Sequence, residues 1–420
     1  MNYKKNTLPN GLRIITAPMK NTQTVTVLVM VGVGSRYESK KEAGISHFLE
    51  HMFFKGTDKR PTTLSITEEL DAIGGEYNAF TGKDRTSYYA KVDAKHFSTA
   101  LDIVSDIYLH SKMDEEEIEK EKGTIIQEIN MYEDTPVRNI HDIFESLLYG
   151  GNPLGEEIAG SKKSVSSFQR KDFLDYMSRF YVANDTVIAI AGNFDEKKAV
   201  AETKKYFSEM KKGEKFNFNK ISEKQKSPQV KIKYKKTDQT HLILGARAYD
   251  YKHKDRYVLA LLSVILGGNM SSRLFTEVRE KRGLAYRIST GVESYVDCGY
   301  IATVAGIEHK NLNLVIKTIL DEYKKIVLER VDEKELQKAK DFIKGRSVMS
   351  LESSDEVAAF FIDQEIQKGK IETLQEIFKQ VDKVNAGNIQ RVAKDIFRKE
   401  KLNLAVIGPH KNEEKLKKLL

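Results

Sequence analysis

Five consecutive residues, His47-Phe48-Leu49-Glu50-His51, offer two imidazoles and a carboxylate at a spacing that suits one metal ion. If the segment is helical, His47 and His51 stand at i and i+4 on one face and both reach the same ion. Glu50, three residues after His47, projects beside them and can face a water on that ion. Catalytic zinc sites take three nitrogen or oxygen ligands and keep a fourth position open, so zinc suits this set. With nine histidines in 420 residues, chance would produce the pattern about 0.01–0.02 times per chain. The competing reading is a helix whose two histidines only cap or pack. A third ligand has to come from elsewhere. Glu121 and Glu128 lie seven residues apart, on one face of an expected helix. Glu115, Glu116, Glu117 and Glu119 read as a solvated acidic first turn that suits the helix dipole. Glu128 differs, because Ile125, Ile126 and Ile129 make its end of the helix apolar, and a carboxylate there wants a cation. Spacing alone leaves the choice of ligand open.

The elements that must position these groups are written twice. Residues 77–108 and 286–323 share an aromatic start, an F/S-T-G step, a Tyr-containing strand and an amphipathic helix. MDEEEIEKEKGTIIQEINM from Met113 matches VDEKELQKAKDFIKGRSVM from Val331 in the same manner. Each half also has a late β-branched strand before a helix, from Asn184 and from Leu402. In the first half, residues 12–17 and 24–33 alternate as strands, and Gly44 precedes the helix of the histidines. Residues 64–73 read as a short helix, 76–81 and 86–92 as a hairpin around Gly-Lys-Asp, and long helices start near Ala94, Asp114 and Val137. Strands in antiparallel clusters and helices in runs predict an α+β fold. Two homologous domains of layered, mostly antiparallel sheet and helices are expected, at residues 1–212 and 236–420, joined by a basic linker at 213–235.

Composition removes several classes. A 40% hydrophobic and 31% charged chain is globular rather than disordered. No apolar run approaches the ~18 residues of a membrane span, and the N-terminus lacks the apolar stretch of a secretory signal, so no membrane partner and a cytoplasmic location are expected. Cys298 is the single cysteine, which excludes an internal disulfide and a multi-cysteine zinc site. The net charge of +8 collects mainly in residues 211–236, without hydrophobic period. It reads as a solvated linker rather than a nucleic-acid groove, and no nucleic-acid partner is expected. No glycine-rich nucleotide motif follows a strand.

The segment G-I-S-H-F-L-E-H-M-F-F-K-G-T, with Glu128 downstream, resembles the pitrilysin/insulinase-type zinc metallopeptidases, the inverzincins. The chain length is similar to their short branch, the mitochondrial processing peptidase-like bacterial enzymes, and the duplicated domain is a feature of the same family. The resemblance implies one zinc per chain at His47, His51 and Glu128, with Glu50 as general base on the zinc-bound water. It makes Glu121 a residue that orients a ligand. Arg279 and Tyr286, in REKRGLAY, match the spacing of a pair that binds the substrate backbone near the scissile bond. Residues 76–81, with Asn78, Ala79 and Phe80, resemble the strand edge that pairs with extended peptide. In the second half, residues 258–272 carry no His or Glu, and Ala339 and Arg346 stand opposite Glu121 and Glu128, so that half should not hold a catalytic metal; the resemblance implies that it completes the chamber and holds substrate. The implied function is a zinc endopeptidase cleaving short unstructured peptides or presequences in a closed chamber. Each chain would form half of a clamshell, completed as a homodimer. The alternative is a non-catalytic scaffold subunit of the same fold.

Overall fold

The computed structural model describes residues 2–214 and 217–420. In chain order the first half forms β1 (Lys4–Thr7), β2 (Arg13–Pro18), β3 (Thr24–Val31), α1 (Ile45–Met52), α2 (Thr63–Asp71), β4 (Glu76–Thr81), β5 (Thr86–Asp93) and α3 (Phe97–His110). It continues with α4 (Glu115–Asp134), α5 (Pro136–Tyr149), α6 (Lys162–Ser167), α7 (Arg170–Phe180), β6 (Thr186–Gly192) and α8 (Glu196–Phe207). The second half forms β7 (Gln229–Tyr234), β8 (Thr240–Ala248), α9 (Arg256–Gly267), β9 (Ala285–Ser294), β10 (Gly299–Ile307) and α10 (Leu312–Leu328). After these come α11 (Glu333–Ser350), α12 (Ser354–Lys368), α13 (Leu374–Asp382), α14 (Ala386–Ile396), β11 (Leu402–Gly408) and α15 (Glu413–Lys417).

Each half builds one sheet, and the two sheets have the same plan. Their strand orders are β1-β2-β6-β3-β5-β4 and β7-β11-β8-β10-β9. In each, one parallel pair, β2 with β6 or β7 with β11, sits among antiparallel neighbours. The duplication legible in the sequence is therefore one of topology as well, with β1 an addition to the first sheet. The fold is α+β, as the sequence predicts. Among the described residues no helix is long and apolar enough to cross a membrane.

The compact units differ from the contiguous halves expected. One comprises Met1–Asn130, Glu156–Asn219 and Val348–Thr373; the other comprises Met131–Gly155, Lys220–Ser347 and Leu374–Leu420. The cause is that strands buried on both faces need two covers. In the first unit Val25, Val27, Val29 and Val31 of β3 join Phe48, Leu49 and Phe173 in one core. Thr26, Leu28 and Met30, on the other face of the same strand, are equally buried. Their cover is α12, from the second half, which packs on β3 and β6 with Val357, Phe361 and Ile362 buried. Thr26 Oγ1 lies 2.8 Å from Ser354 Oγ, and Asp363 and Glu365 pair with Arg85 and Arg13 at 2.6 and 3.3 Å.

The second unit takes α5 from the first half in return. Ile140, Ile143, Phe144 and Leu148 of that helix cluster with Ile243, Tyr300, Ala405 and Ile407 on one face of the second sheet. The expected linker is shorter than its charge suggested, because its last residues are strand β7. Lys231 and Lys233 donate to Ser146 Oγ and Asn139 Oδ1 of α5 at 2.8 and 2.7 Å, and Lys235 pairs with Asp134 at 2.8 Å. Three lysines read as solvated charge are thus hydrogen-bond donors to an exchanged segment. Lys215 and Phe216 of the expected linker lie outside the described residues.

Candidate metal centre

Helix α1 carries the motif, and its start is fixed by backbone geometry. Gly44 adopts φ +96°, and a Cβ there would come within 2.5 Å of the Ala159 carbonyl oxygen, so only glycine fits. The Glu38 carboxylate accepts hydrogen bonds from the Gly44 and Ser46 N–H groups at 2.7 and 2.9 Å, satisfying two otherwise unpaired donors of the first turn. Burial, opposed by those two bonds, raises Glu38 to about 7. Ile45, Phe48, Leu49 and Met52 are buried in the core, which turns His47, Glu50 and His51 to the opposite side.

The long helix α4 brings the third group. His47 Nε2 lies 3.6 Å and His51 Nε2 3.5 Å from Glu128 Oε2, and the ligand atoms of the three residues all lie within 4.8 Å of one another. Separations of 3.5–3.6 Å are long for hydrogen bonds. They approach the edge, about 3.3 Å, of a tetrahedron with bonds of about 2.0–2.1 Å to zinc. The donor set, two imidazoles and a carboxylate, also fits zinc. Among the described residues this is the one group of three or more His, Cys, Asp or Glu that converges so closely.

Glu121, two turns earlier on α4, lies behind His51. Its Oε1 is 2.8 Å from His51 Nδ1, and its Oε2 is 2.5 Å from Lys55 Nζ. In the neutral ring, a carboxylate on Nδ1 makes Nε2, which faces Glu128, the nitrogen with the lone pair. Burial alone would lower His51, but the hydrogen bond to Glu121 and the neighbouring Glu128 outweigh it and raise His51 to about 9. Burial would likewise raise Glu121, yet the bonds from His51 and Lys55 hold it below the usual carboxylate range. His47 has no comparable support: its Nδ1 is buried without a hydrogen bond among the described residues.

Glu50 stands apart from the three converging groups, and its Oε2 accepts from Thr81 Oγ1 at 2.5 Å. Thr81 ends β4, which among the described residues is the outermost strand of the first sheet and pairs with β5 alone. Asn78, Ala79 and Phe80 therefore lie on a sheet edge rather than in an internal strand. Asn78 and Phe80 are exposed, whereas Tyr77, Ala79 and Thr81 are half-buried. Thr81 and Lys55 are contacts the sequence reading missed. The only signal for Lys55 was its place at i+4 from His51.

Arg279 and Tyr286 belong to the second unit. Arg279 Nη1 donates to the Tyr286 carbonyl at 2.7 Å, and its guanidinium lies 4.8 and 4.9 Å from the Phe275 and Tyr286 rings. The Tyr286 side chain is 82% exposed, its hydroxyl held by no core. In the same unit α9 stands where α1 would be, without His or Glu, and Ala339 is buried in α11.

Two family profiles match the chain. Residues 13–162 match the insulinase family, peptidase family M16, and residues 167–342 match the peptidase M16 inactive domain. A protein of Bacillus subtilis named an uncharacterized zinc protease is 37% identical over 417 residues, covering 97% of this chain and 99% of its own. A Rickettsia felis protein of the same description is 39% identical over 426 residues, covering 97% and 98%. Among solved structures, a protease from Helicobacter pylori superposes with a TM-score of 0.90 at 25% identity, over 97% of this chain and 100% of that one.

Proposed function

Because the chain belongs to the insulinase family, peptidase family M16, we propose that it is a zinc-dependent endopeptidase acting on short unstructured peptides or presequences, with His47, His51 and Glu128 holding one zinc ion. The observation that carries this reading is the convergence of those three side chains, with Glu50 of the same helix left out of the set and held by the Thr81 hydroxyl instead. Zinc bound there supplies Lewis acidity and brings the pKa of a water to about 7. Glu50 takes the proton from the attacking water and passes it to the leaving amine. The Thr81 hydroxyl holds Glu50 in one orientation, and a carboxylate so tethered loses little order on reaction. Extended peptide adds to the outer edge of β4 at Asn78, Ala79 and Phe80, main chain to main chain, displacing the Asn78 Oδ1 that accepts from the Ala79 N–H at 2.8 Å. That register carries a scissile bond past Thr81 toward Glu50. Glu121 keeps His51 in the tautomer whose Nε2 lone pair points at the ion.

Arg279 and Tyr286 bind the substrate backbone and the developing oxyanion, supplied by the second chain of a homodimer. A non-catalytic partner role takes support from the inactive-domain match of residues 167–342, and the intact set in the first unit weighs against it. The test is Glu50→Gln, which keeps shape and cannot accept the proton. Zinc should stay bound at one per chain while hydrolysis of a fluorogenic peptide falls by at least ~100-fold, the low end for a general base. Near-normal turnover with zinc bound removes Glu50 from the role.

A further inference from the structure

Lys55 lies just beyond α1 and is held there by the chain around it. Its N–H donates to the Met52 carbonyl at 3.0 Å, and the next residue, Gly56, adopts φ +132°. A Cβ on Gly56 would come within 2.5 Å of the Pro61 carbonyl oxygen, and the Gly56 carbonyl itself accepts from Lys112 N–H at 3.0 Å. The backbone leaving α1 therefore has one path, and it sends Lys55 back along the face that carries His51. There the ammonium meets Glu121, whose side chain is 5% exposed against 22% for Lys55. The two oxygens of Glu121 are divided between two donors, Oε1 to His51 and Oε2 to Lys55.

We propose that Lys55 is a positioning residue of the metal centre: by engaging Oε2 of Glu121 it fixes the carboxylate rotamer that presents Oε1 to His51 Nδ1, and so aims His51 Nε2 at the ion. The proposal rests on the zinc reading above and deepens it. A carboxylate held at one oxygen only can rotate about its last bond, and a ring bonded to a rotating acceptor loses its direction. An ammonium at the far oxygen removes that freedom, and does so with a charge-assisted bond inside a partly desolvated site. A lysine just past a helix C-terminus suits the helix dipole, but beside a cation site its charge opposes that of the metal. The buried Glu121 between them accounts for its presence. Lys55 also borders a cleft of 370 Å³ with Thr62, Leu64 and Lys112, so a direct role on a substrate carboxylate is the competing assignment.

The test uses the full chain carrying Lys55→Met and Lys55→Arg. Zinc affinity is read by competition with a chromophoric chelator, and the cobalt-substituted protein is read by its visible absorption, which reports ligand geometry directly. Lys55→Met should weaken zinc by about tenfold or somewhat less, at or below the low end of the range for losing an outer partner of a metal ligand because Lys55 acts through Glu121, and should broaden or shift the cobalt bands. Lys55→Arg should restore both. A Lys55→Met protein with unchanged zinc affinity and cobalt spectrum overturns the proposal, whether or not KM rises. A rise in KM alone assigns Lys55 to substrate. If the wild-type chain itself binds no zinc, the metal reading fails and Lys55 falls with it; wild-type binding with an indifferent Lys55→Met sinks only the inference.

Discussion

Replacing Glu121 by Gln tests how the centre divides its two helical glutamates. An amide offers one acceptor and one donor, whereas Glu121 faces two donors, His51 Nδ1 at 2.8 Å and Lys55 Nζ at 2.5 Å. With its oxygen toward His51, the substituted amide turns its NH2 on the lysine ammonium; flipped, it turns the NH2 on the imidazole N–H. Neither orientation satisfies both, and an unmet donor at a nearly buried position costs about 1–3 kcal/mol. Losing an outer partner of a ligand weakens metal binding about 10–100-fold, or about 1.4–2.7 kcal/mol at 1.36 kcal/mol per decade. The first cost falls on the fold with or without the ion, and the second sets the zinc result, so Glu121→Gln should bind zinc about 10–100 times more weakly than wild type. Glu128→Gln removes a ligand bond together with its charge and should lose well over ~100-fold, beyond the range of an outer partner. Chelator competition near neutral pH ranks the three proteins, with far-ultraviolet circular dichroism confirming that each is folded. Zinc affinity within about twofold of wild type for Glu121→Gln, far short of an outer partner's share, refutes the relay through His51. Weaker binding by Glu121→Gln than by Glu128→Gln shows that the two carboxylates have been assigned in reverse.

In the metal-free protein His51 is raised to about 9 from an ordinary 6.5, so its contribution to stability is full below about pH 6.5 and is lost as pH rises through about 9. Zinc must displace that proton. Uptake at about pH 7.5 should release about one proton, seen as a binding enthalpy that follows the ionisation heat of the buffer, and affinity should rise about tenfold per pH unit until it levels near about pH 9. An affinity flat between about pH 7 and about pH 9 contradicts this. Thr81→Val should lower kcat about tenfold, on the scale of one hydrogen bond to a charged group, with zinc affinity unmoved; a change in zinc affinity would tie Thr81 to the ligands instead. Residues 1–212 expressed alone should be insoluble, because Val357, Phe361 and Ile362 of α12 are absent and contribute about 1.5–3 kcal/mol each, together the scale of a whole domain's net stability. Co-expression with 213–420 should restore a soluble complex, and a folded, monomeric 1–212 fragment would disprove the need for the exchange. Mixing Glu50→Gln chains with Tyr286→Phe chains should recover part of the activity if the second chain completes the site, and recovery should be nil if the pair acts within one chain.

The histidine pair was legible because helical period alone puts i and i+4 together, whatever surrounds the helix. Glu121 and Glu128 were not separable by the same logic. They share a face but stand about 10 Å apart along the axis, and only the height of α1 against α4 decides which one meets the ring nitrogens facing the ion. The paired halves could be read because each repeats its order of strands and helices, and the strand orders agree in both sheets. The exchange of α5 and α12 could not. An amphipathic helix states that it covers something apolar, never which sheet, and the near-continuous apolar run of β3 was the one sign that a second cover was needed. Strand β7 was hidden by Lys231 and Lys233, whose charge masked the alternation of Val230, Ile232 and Tyr234. Thr81 carries no pattern, and Lys55 only its place at i+4 from His51; a threonine in a strand and a lysine after a helix are ordinary until their partners are known.

The exchange of α12 also sets the order in which the protein can become complete during its synthesis. The strands of the first sheet are all made once Gly192 has been added, and with them the whole metal centre from His47 to Glu128. The helix that closes the outer face of β3 and β6 begins only at Ser354. At about 5–20 residues per second, a face of Leu28, Met30, Val187 and Ala189 waits on the order of ten to thirty seconds for its cover. Meanwhile α5 is already made, while the second sheet that it covers does not yet exist. A nascent chain of this protein therefore carries two unmatched apolar surfaces at once, and neither half can be finished before the other has begun. The polypeptide reaches its native state late and all together, and a ribosome that stalls anywhere between Gly192 and Ser354 leaves a species built to stick.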